Sequence, residues 1–178
     1  MALPDIVLRI TEPETEWIRG RPLQKVSPTR SHALLQGTML TILRAWGGSA
    51  AEVGAEWRFR VTPPGKAARP LVPDVAYVAT ERLRGKTGDE LEVPHLSPDV
   101  AVEVLSPDDR RPDVDDKIAT YLSAGSTAVI VVDPKHRTVE LHGSGGKHVF
   151  GLGETAMHPT LPGLTIAVSE LFDTIAPP

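Results

Sequence analysis

Short apolar runs rich in valine and isoleucine recur along the chain, separated by charged stretches and by turns containing glycine or proline. Runs of this kind bounded by turn signals are typical of strands, and two of them around a glycine-rich centre are typical of a hairpin. The pattern predicts strands at 21–26, 51–61, 74–79, 100–105 and 127–133, a hairpin of 138–142 with 147–151, and a closing strand with a short helix within 164–173.

Two other stretches repeat their apolar residues at helical spacing. The first predicts a helix within 27–46, in which Ser27 is the expected N-cap and Pro28 suits the first turn. The second predicts a helix at 113–125 with Asp113 as its N-cap. Capping side chains of this type accept hydrogen bonds from the free N–H groups of the first helical turn.

The order of these elements predicts an α/β fold with a mixed central sheet flanked by helices. We expect a single domain over 1–178, in which the polar segment 1–20 is a loosely ordered lead-in and 80–97 is a charged loop. A chain of 178 residues is long enough to bury a core without disulfides or structural metals.

Composition narrows the classes of function. The chain has no cysteine, which excludes thiol catalysis and cysteine-bound zinc and favours a reducing, cytoplasmic location. No secretory signal or membrane-spanning run is visible. A net charge of −4 argues against a generic nucleic-acid coat, and an aromatic content of 4% argues against a single-strand binder built on base stacking.

One carboxylate stands in the middle of a strand that otherwise looks buried. Glu103 lies in the run Val-Ala-Val-Glu-Val-Leu at 100–105. Because strand side chains alternate, Ala101 and Leu105 share its face, and the valines take the other face. A carboxylate buried there needs a cation, which is either a basic side chain in a structural ion pair or a metal ion.

Two further residues, Asp74 and Lys117, favour a metal site around Glu103 over a purely structural ion pair. Asp74 begins another predicted strand, and two carboxylates on paired strands suit Mg²⁺ or Mn²⁺ rather than zinc. Asp99 lies four residues before Glu103, too far along the strand to share an ion, and reads as a turn residue. Lys117 lies at the edge of the apolar stripe of the second helix, from which its ammonium can reach the sheet.

Four segments of the chain resemble the Uma-two family, whose members are restriction-endonuclease-like proteins of the PD-(D/E)XK nuclease superfamily. The segments are "PDVAYV", "PDVAVEVLSPDDRRPDVDDKIATYLSAG", "VVDPKHRTVELH" and "LPGLTIAVSELF". The resemblance covers roughly 15–174, and its most specific part is "EVLSP" followed by Asp-x-x-x-Lys and then Tyr.

The resemblance implies a restriction-endonuclease-like fold with extra β-hairpins and a Mg²⁺-dependent endonuclease. By this match Asp74, Glu103 and Lys117 are catalytic, and the metal is held by Asp74, Glu103 and the carbonyl of Val104. It also implies that the partner is a nucleic acid, with DNA favoured over RNA, and that the protein is a homodimer. The superfamily's usual lysine position is filled by Leu105, so the lysine role moves to Lys117.

The chain departs from the family at one acid. The family has a Gly-Glu near its first strand, whereas Arg21 stands at that place here. This favours an alternative function, in which a catalytically inactive nuclease-fold protein binds nucleic acid or a protein partner. Hydrolysis of another phosphate substrate is a third option.

Basic residues outside the proposed centre are candidates for nucleic-acid contact. His32 fits a histidine position of the family, which leaves a catalytic role open, although a hydrogen-bonded helix histidine is the simpler interpretation. Arg110 and Arg111 lie between the strand of Glu103 and the helix of Lys117, and Arg58 and Arg60 share one strand face. Each of these arginines could contact phosphates or belong to a solvated surface.

Overall fold

The computed structural model describes residues 3–11 and 13–177 of the chain. Part of the predicted lead-in, at 1–2 and 12, and the last residue of the predicted domain lie outside this range. Within the described residues the twelve strands are β1 Thr15–Ile18, β2 Arg21–Gln24, β3 Ala51–Ala55, β4 Phe59–Val61, β5 Arg69–Leu71, β6 Val75–Ala79, β7 Val100–Val104, β8 Ala128–Asp133, β9 Thr138–Gly143, β10 Gly146–Phe150, β11 Thr155–Ala156 and β12 Ile166–Ala167.

The helices are α1 Arg30–Gly47, α2 Thr80–Leu83, α3 Asp89–Glu92, α4 Arg111–Ser123 and α5 Val168–Asp173, with a 3₁₀ turn at Gly48–Ala50 after α1. Among the residues that the structure describes, no helix is both long and apolar enough to cross a membrane.

Six strands form the central sheet in the order β10-β9-β8-β7-β6-β3. All neighbours are antiparallel except β7 and β8, which run parallel and are connected through α4. Parallel neighbours need a crossover of this kind, because a tight turn cannot reverse the chain twice. The fold is the predicted one: a mixed central sheet flanked by helices, with three additional two-stranded sheets.

The sheet separates two hydrophobic cores. One core contains Val102 of β7 and the buried face of α1, which contributes Leu35, Met39 and Leu43. The other contains Ala101 of β7, the apolar stripe of α4 and residues of the β1–β2 and β4–β5 hairpins. The alternation predicted for β7 is therefore confirmed, and its two faces pack against different elements.

The segment 15–18, which was expected to be a loose lead-in, is a strand. β1 pairs with β2 as an antiparallel hairpin, and Ile18 is fully buried. The prediction was wrong because the polar residues around β1 hide a short alternation, in which only Glu16 and Ile18 face the core.

The segment 51–61 is two strands rather than one. Glu56 adopts a positive φ of 53°, and β3 and β4 on either side of it join different sheets. A residue in the left-handed region reverses the local direction of an extended chain. No glycine or proline marks this break in the sequence, so the alternation alone suggested a continuous strand.

The predicted helix caps were shifted by two or three residues. Thr29, not Ser27, caps α1 by accepting a hydrogen bond from the N–H of His32. Asp113 lies inside the first turn of α4, whose N-cap is Arg110 without a side-chain cap. The segment 80–97, expected to be a charged loop, contains α2 and α3.

Candidate active site

Asp74 and Glu103 face each other across two paired strands. The antiparallel register of β6 and β7 pairs Val75 with Val102 and Ala76 with Ala101, so continuing it by one residue places Asp74 opposite Glu103. Residues directly opposite in an antiparallel pair share one face of the sheet. One oxygen of Asp74 also accepts the N–H of Val104 at 2.6 Å, which ties the carboxylate to the strand of Glu103.

Lys117 is buried within the packed face of α4 rather than at the edge of that face, and its ammonium reaches the sheet as predicted. Its Nζ lies 2.5 Å from Oε2 of Glu103 and 3.0 Å from Oε1 of Glu16, and the residue is 7% exposed. The apolar stripe of α4 was predicted correctly, but the width of the helix surface that is buried was not. Lys117 lies beside the stripe, and β1 covers this part of the helix as well.

Glu16 is a site residue that sequence reasoning missed. It is buried on β1, and besides contacting Lys117 its Oε1 accepts the N–H of Val72 at 2.7 Å. The acid that seemed to be lost at Arg21 therefore has a counterpart elsewhere on the same hairpin. Arg21 itself binds Asp113 of α4 at 2.8 Å.

Lys25 is a second missed residue. Its Nζ lies 2.7 Å from Oδ1 of Asp74 and 3.0 Å from Oε2 of Glu56, and it donates to the carbonyl of Val72 at 3.1 Å. Lys25 follows β2 directly, so the hairpin of β1 and β2 contributes one acid and one base to the cluster. The signals available in the sequence were the two-residue spacing of Glu16 and Ile18 and the position of Lys25 within the predicted strand 21–26.

His32 also reaches the cluster, from the first turn of α1. Its Nε2 lies 3.3 Å from Oδ2 of Asp74, but the angle is too poor for a hydrogen bond, so this buried nitrogen has no hydrogen-bond partner among the described residues. Its Nδ1 is 3.4 Å from Oγ of Ser106. The structure thus brings His32 to the carboxylates, although it was predicted among the basic residues outside the proposed centre.

Burial and the neighbouring lysines have opposite effects on the pKa values of the two carboxyl groups. Burial, with the charges of Asp74 and Glu16, raises the pKa of Glu103 to about 8 against the opposing effect of Lys117. Burial also opposes ionisation of Asp74, but Lys25, Lys117 and the N–H of Val104 outweigh it and lower the pKa of Asp74.

The two lysines remain charged. Burial disfavours the ammonium of Lys117, yet the neighbouring Glu103 and Glu16 raise its pKa above the ordinary lysine value. The carboxylates around Lys25, of which Asp74 acts most strongly, have the same effect on its pKa. Neither lysine is therefore a proton acceptor at neutral pH.

The donor set partly fits a divalent ion. Oε1 of Glu103 is buried and has no hydrogen-bond partner in the part of the chain that the structure describes, and the buried hydroxyl of Tyr121, whose pKa Glu103 helps to raise, has none there either. A buried carboxylate oxygen of this kind can take a cation or accept from such a hydroxyl. Within residues 3–11 and 13–177, however, no three His, Asp or Glu side chains converge on one metal position. The ion would therefore be held by Asp74, Glu103 and the carbonyl predicted for Val104, with hard oxygen ligands throughout.

A cavity of about 240 Å³ opens over these residues. Its walls come from the β1–β2 hairpin, the first turn of α1, the ends of β6 and β7, the start of α4, and the loop from Leu105 to Arg110. A neighbouring groove of about 610 Å³ shares Leu105, Ser106 and Asp109 with it and extends to Lys135 and His136. The cavity and the groove therefore lie on either side of the same loop.

The four arginines proposed for phosphate contact have different environments. Arg58 pairs with Glu14, Arg60 with Asp5, and Arg111 with both Asp115 and Glu140. Arg110 lines the cavity and has no ion pair within the described residues. Of the four, Arg110 is the cation best placed to meet a substrate in the cavity.

Comparisons with known proteins agree with this architecture. The Uma2 family, described as "Putative restriction endonuclease", matches residues 3–169. A solved structure from Anabaena variabilis, described as a "putative nuclease belonging to DUF820", superposes with a TM-score of 0.83 at 23% identity and covers 95% of each chain. This similarity shows a shared fold. No curated protein matches the chain.

Proposed function

Because the chain belongs to the Uma2 family, we propose that it is a Mg²⁺- or Mn²⁺-dependent endonuclease that hydrolyses phosphodiester bonds. The observation that carries the proposal is the pairing of Asp74 and Glu103 on adjacent strands beside Lys117, with one oxygen of Glu103 left without a partner among the described residues. This is the arrangement expected of a site that uses two carboxylates for a hard cation and a lysine for charge.

The metal ion would supply Lewis-acid polarisation of the phosphodiester and help to activate water at neutral pH. Asp74 and Glu103 would hold the ion. The carbonyl of Val104, the residue after Glu103 on β7, would be the third protein ligand. Both carboxylates must be ionised for this. The two lysines favour ionisation, but burial keeps the pKa of Glu103 at about 8, so in the protein without metal Glu103 is fully ionised only above that pH.

Lys117 acts as a charged donor in this proposal. Glu16 and Glu103 keep the side chain of Lys117 protonated. The charged ammonium can therefore stabilise negative charge that develops on a phosphoryl oxygen, or orient an attacking water. It does not take the water's proton. In the balanced reaction, water oxygen bonds to phosphorus, the P–O bond to the leaving group breaks, and the proton passes to the leaving oxygen.

DNA as the substrate and a homodimer as the active assembly are further proposals, supported by the family resemblance. Substrate choice is measured by offering matched DNA and RNA oligonucleotides with Mg²⁺. Assembly is measured by light scattering of the purified chain. A preference for RNA or a monomeric mass would contradict the corresponding proposal without touching the metal site.

Replacing Glu103 with Gln tests the central proposal. The amide keeps the volume but removes the charge that a hard cation requires, so we expect Mg²⁺-dependent cleavage of plasmid or oligonucleotides to be lost. Cleavage is measured in single-turnover assays with and without Mg²⁺, and circular dichroism checks the fold.

Asp99→Asn is the matched control. Asp99 precedes the same strand, and its carboxylate accepts the N–H of Ala79 and binds Arg82 outside the cluster. The control should cut like the wild type. Cleavage by a folded Glu103→Gln protein at the wild-type rate would make Glu103 a structural residue.

An inactive nuclease-fold protein that binds nucleic acid or a protein partner is the second candidate. It is favoured by the internal ion pairs, since Lys25 contacts Asp74 and Lys117 contacts Glu103 within the protein itself. Binding of labelled DNA by the wild type without cleavage at any concentration of Mg²⁺ or Mn²⁺ would support this function over the first.

A further inference from the structure

Lys25 occupies the Asp74 end of the candidate metal site. Its Nζ lies 2.7 Å from Oδ1 of Asp74, and its side chain is only 13% exposed. The backbone N–H of Lys25 donates to the carbonyl of Glu14 at 2.7 Å, which fixes the start of the side chain to the β1–β2 hairpin. The ammonium is thus held at a defined place on the carboxylate and does not sample solvent freely.

Both oxygens of Asp74 are already in use. Oδ1 accepts from Lys25, and Oδ2 accepts the N–H of Val104 at 2.6 Å. A divalent ion bound to Oδ1 at about 2.0–2.6 Å would lie within roughly 5 Å of an ammonium on the same oxygen. Two cations at that distance in a buried site repel each other strongly, so the ion and Lys25 compete for Asp74.

Glu56 offers Lys25 a second partner. Both of its carboxylate oxygens are about 3 Å from Nζ, at 3.0 and 3.1 Å, and its side chain is 44% exposed at the rim of the cluster. Gln36 holds this arrangement by donating to Oε1 of Glu56 and to the carbonyl of Asp74, both at 2.9 Å. The ammonium can therefore leave Asp74 while it keeps Glu56.

Lys117 differs from Lys25 in this respect. It contacts Oε2 of Glu103 and leaves Oε1 without a partner in the described part of the chain, and its other partner, Glu16, is not among the proposed ligands. Glu103 thus keeps one carboxylate oxygen that no ammonium contacts, whereas both oxygens of Asp74 are in use. An ion held between the two carboxylates therefore competes more directly with Lys25 than with Lys117.

We propose that Lys25 is an internal cation that occupies the metal-binding oxygen of Asp74 in the metal-free protein, moves towards Glu56 when a divalent ion binds, and so sets the metal affinity of the site. This inference rests on the proposed metal site and adds the residue that regulates its occupancy.

The test measures Mn²⁺ binding in the absence of nucleic acid. Isothermal titration of the full chain compares the wild type with Lys25→Met, which keeps the stem and removes the competing charge. We expect Lys25→Met to bind Mn²⁺ at least about tenfold more tightly. The metal-free variant should melt at a lower temperature, because Asp74 is left buried and unpaired, and it should gain more from Mn²⁺ than the wild type does.

Lys66→Met is the matched control, because Lys66 is exposed and lines neither the cavity nor the groove. It should bind Mn²⁺ like the wild type. Lys25→Arg retains the charge and should not reproduce the gain in affinity, which separates the effect of charge from that of any change at position 25.

Glu56→Gln keeps the test decisive if Lys25→Met fails to fold. With the second partner weakened, Lys25 should hold Asp74 more firmly, and Mn²⁺ binding should weaken about three- to tenfold. Unchanged Mn²⁺ affinity in Glu56→Gln would overturn the inference. In a folded Lys25→Met background the same Glu56 substitution should have little effect.

Equal or weaker Mn²⁺ binding by folded Lys25→Met would overturn the inference and leave the proposed function intact. A wild-type protein that binds no Mn²⁺ even at millimolar concentration would overturn the metal site itself, and the inference with it.

Discussion

At the scale of single residues, the candidate site is a network of buried charges in which Asp74, Glu103 and Glu16 each contact a lysine. Lys117 bridges Glu16 and Glu103, and Lys25 binds Asp74. Burying charges is costly, and the cost is offset only when each charge keeps its partner. Removing one member of the network should therefore lower the stability of the fold more than removing an acid together with its basic partner.

Lys117→Met tests this sensitivity. An exposed lysine at the edge of a helix would contribute little to stability, but the buried Lys117 neutralises two carboxylates. We expect the variant to lose about 3–5 kcal/mol in the free energy of unfolding, because Glu16 and Glu103 are left without it. Urea denaturation at pH 7.5 measures the loss, and Lys66→Met should change stability by less than about 0.5 kcal/mol.

The double variant Glu16→Gln with Lys117→Met completes the cycle. Gln at position 16 can still accept the N–H of Val72, and one of the two unpaired charges is gone. The double variant should lose less stability than the sum of the single losses, by about 1–3 kcal/mol. Additive losses would mean that Lys117 contributes by packing alone.

At the scale of elements, one carboxylate in the wall of the neighbouring groove holds three elements together. Glu140 on β9 accepts hydrogen bonds from both terminal nitrogens of Arg111, at the start of α4, at 3.0 and 3.1 Å. It also accepts one from Nζ of Lys147 on β10 at 2.8 Å. His142 on the same strand approaches it at 2.9 Å. The start of α4 is thus held against the sheet, which helps to position Lys117 two turns further along the helix.

Glu140 predicts how stability depends on pH. Burial raises its pKa, but hydrogen bonds from Arg111, Lys147 and His142 outweigh burial and lower the pKa to about 2, from an ordinary value of 4.5. A carboxyl with a lowered pKa stabilises the fold above its unfolded pKa and loses this effect as the pH falls through the folded value. The stabilisation is therefore complete above about pH 4.5 and lost near pH 2.

Glu140→Gln should remove this dependence. We expect the variant to be less stable than the wild type at pH 7 by on the order of 1–2 kcal/mol, a value reduced for the partly exposed partners Arg111 and Lys147. The difference should shrink between pH 4.5 and pH 2. Urea denaturation across this range measures it, and a difference that stays constant with pH would contradict the assignment.

At the scale of the whole molecule, the sheet divides the structure into a supporting face and a face that carries the site. Met39 of α1 belongs to the first core, whereas Ile18 of β1 belongs to the second and lines the cavity. Both side chains are fully buried. The cavity is closed on one side by the β1–β2 hairpin, so the packing of that hairpin decides where Glu16 and Lys25 lie.

Matched truncations separate the two faces. Met39→Ala and Ile18→Ala should each lower the free energy of unfolding by about 2–5 kcal/mol, because each leaves a cavity in a packed core. Only Ile18→Ala should also weaken Mn²⁺ binding and cleavage in protein that is still folded, since it loosens the hairpin beside the cluster. Equal effects of both variants on Mn²⁺ affinity would show that the hairpin does not position the site.

Much of the site could be predicted from the sequence because it depends on local periodicity. The alternation of β7 placed Glu103 opposite the valine face, and the helical stripe of α4 placed Lys117 next to the sheet. The break at Glu56 could not be predicted, because its positive φ is not marked by glycine. The cap of α1 was misplaced because Ser27 and Thr29 are equally suitable side chains, and only the path of the chain selects one of them.

The sequence by itself determined the α/β class, the strands of the two carboxylates and the helix of the lysine, since these follow from patterns within a few residues. Only the tertiary structure decided that Glu16 and Lys25 join the cluster. Glu16 meets Lys117 across 101 positions of the chain and Lys25 meets Asp74 across 49. Contacts over such separations depend on which elements pack together, and no local pattern of hydrophobic and polar residues encodes them. Packing of the β1–β2 hairpin also turned Lys117 from an edge residue into a buried one.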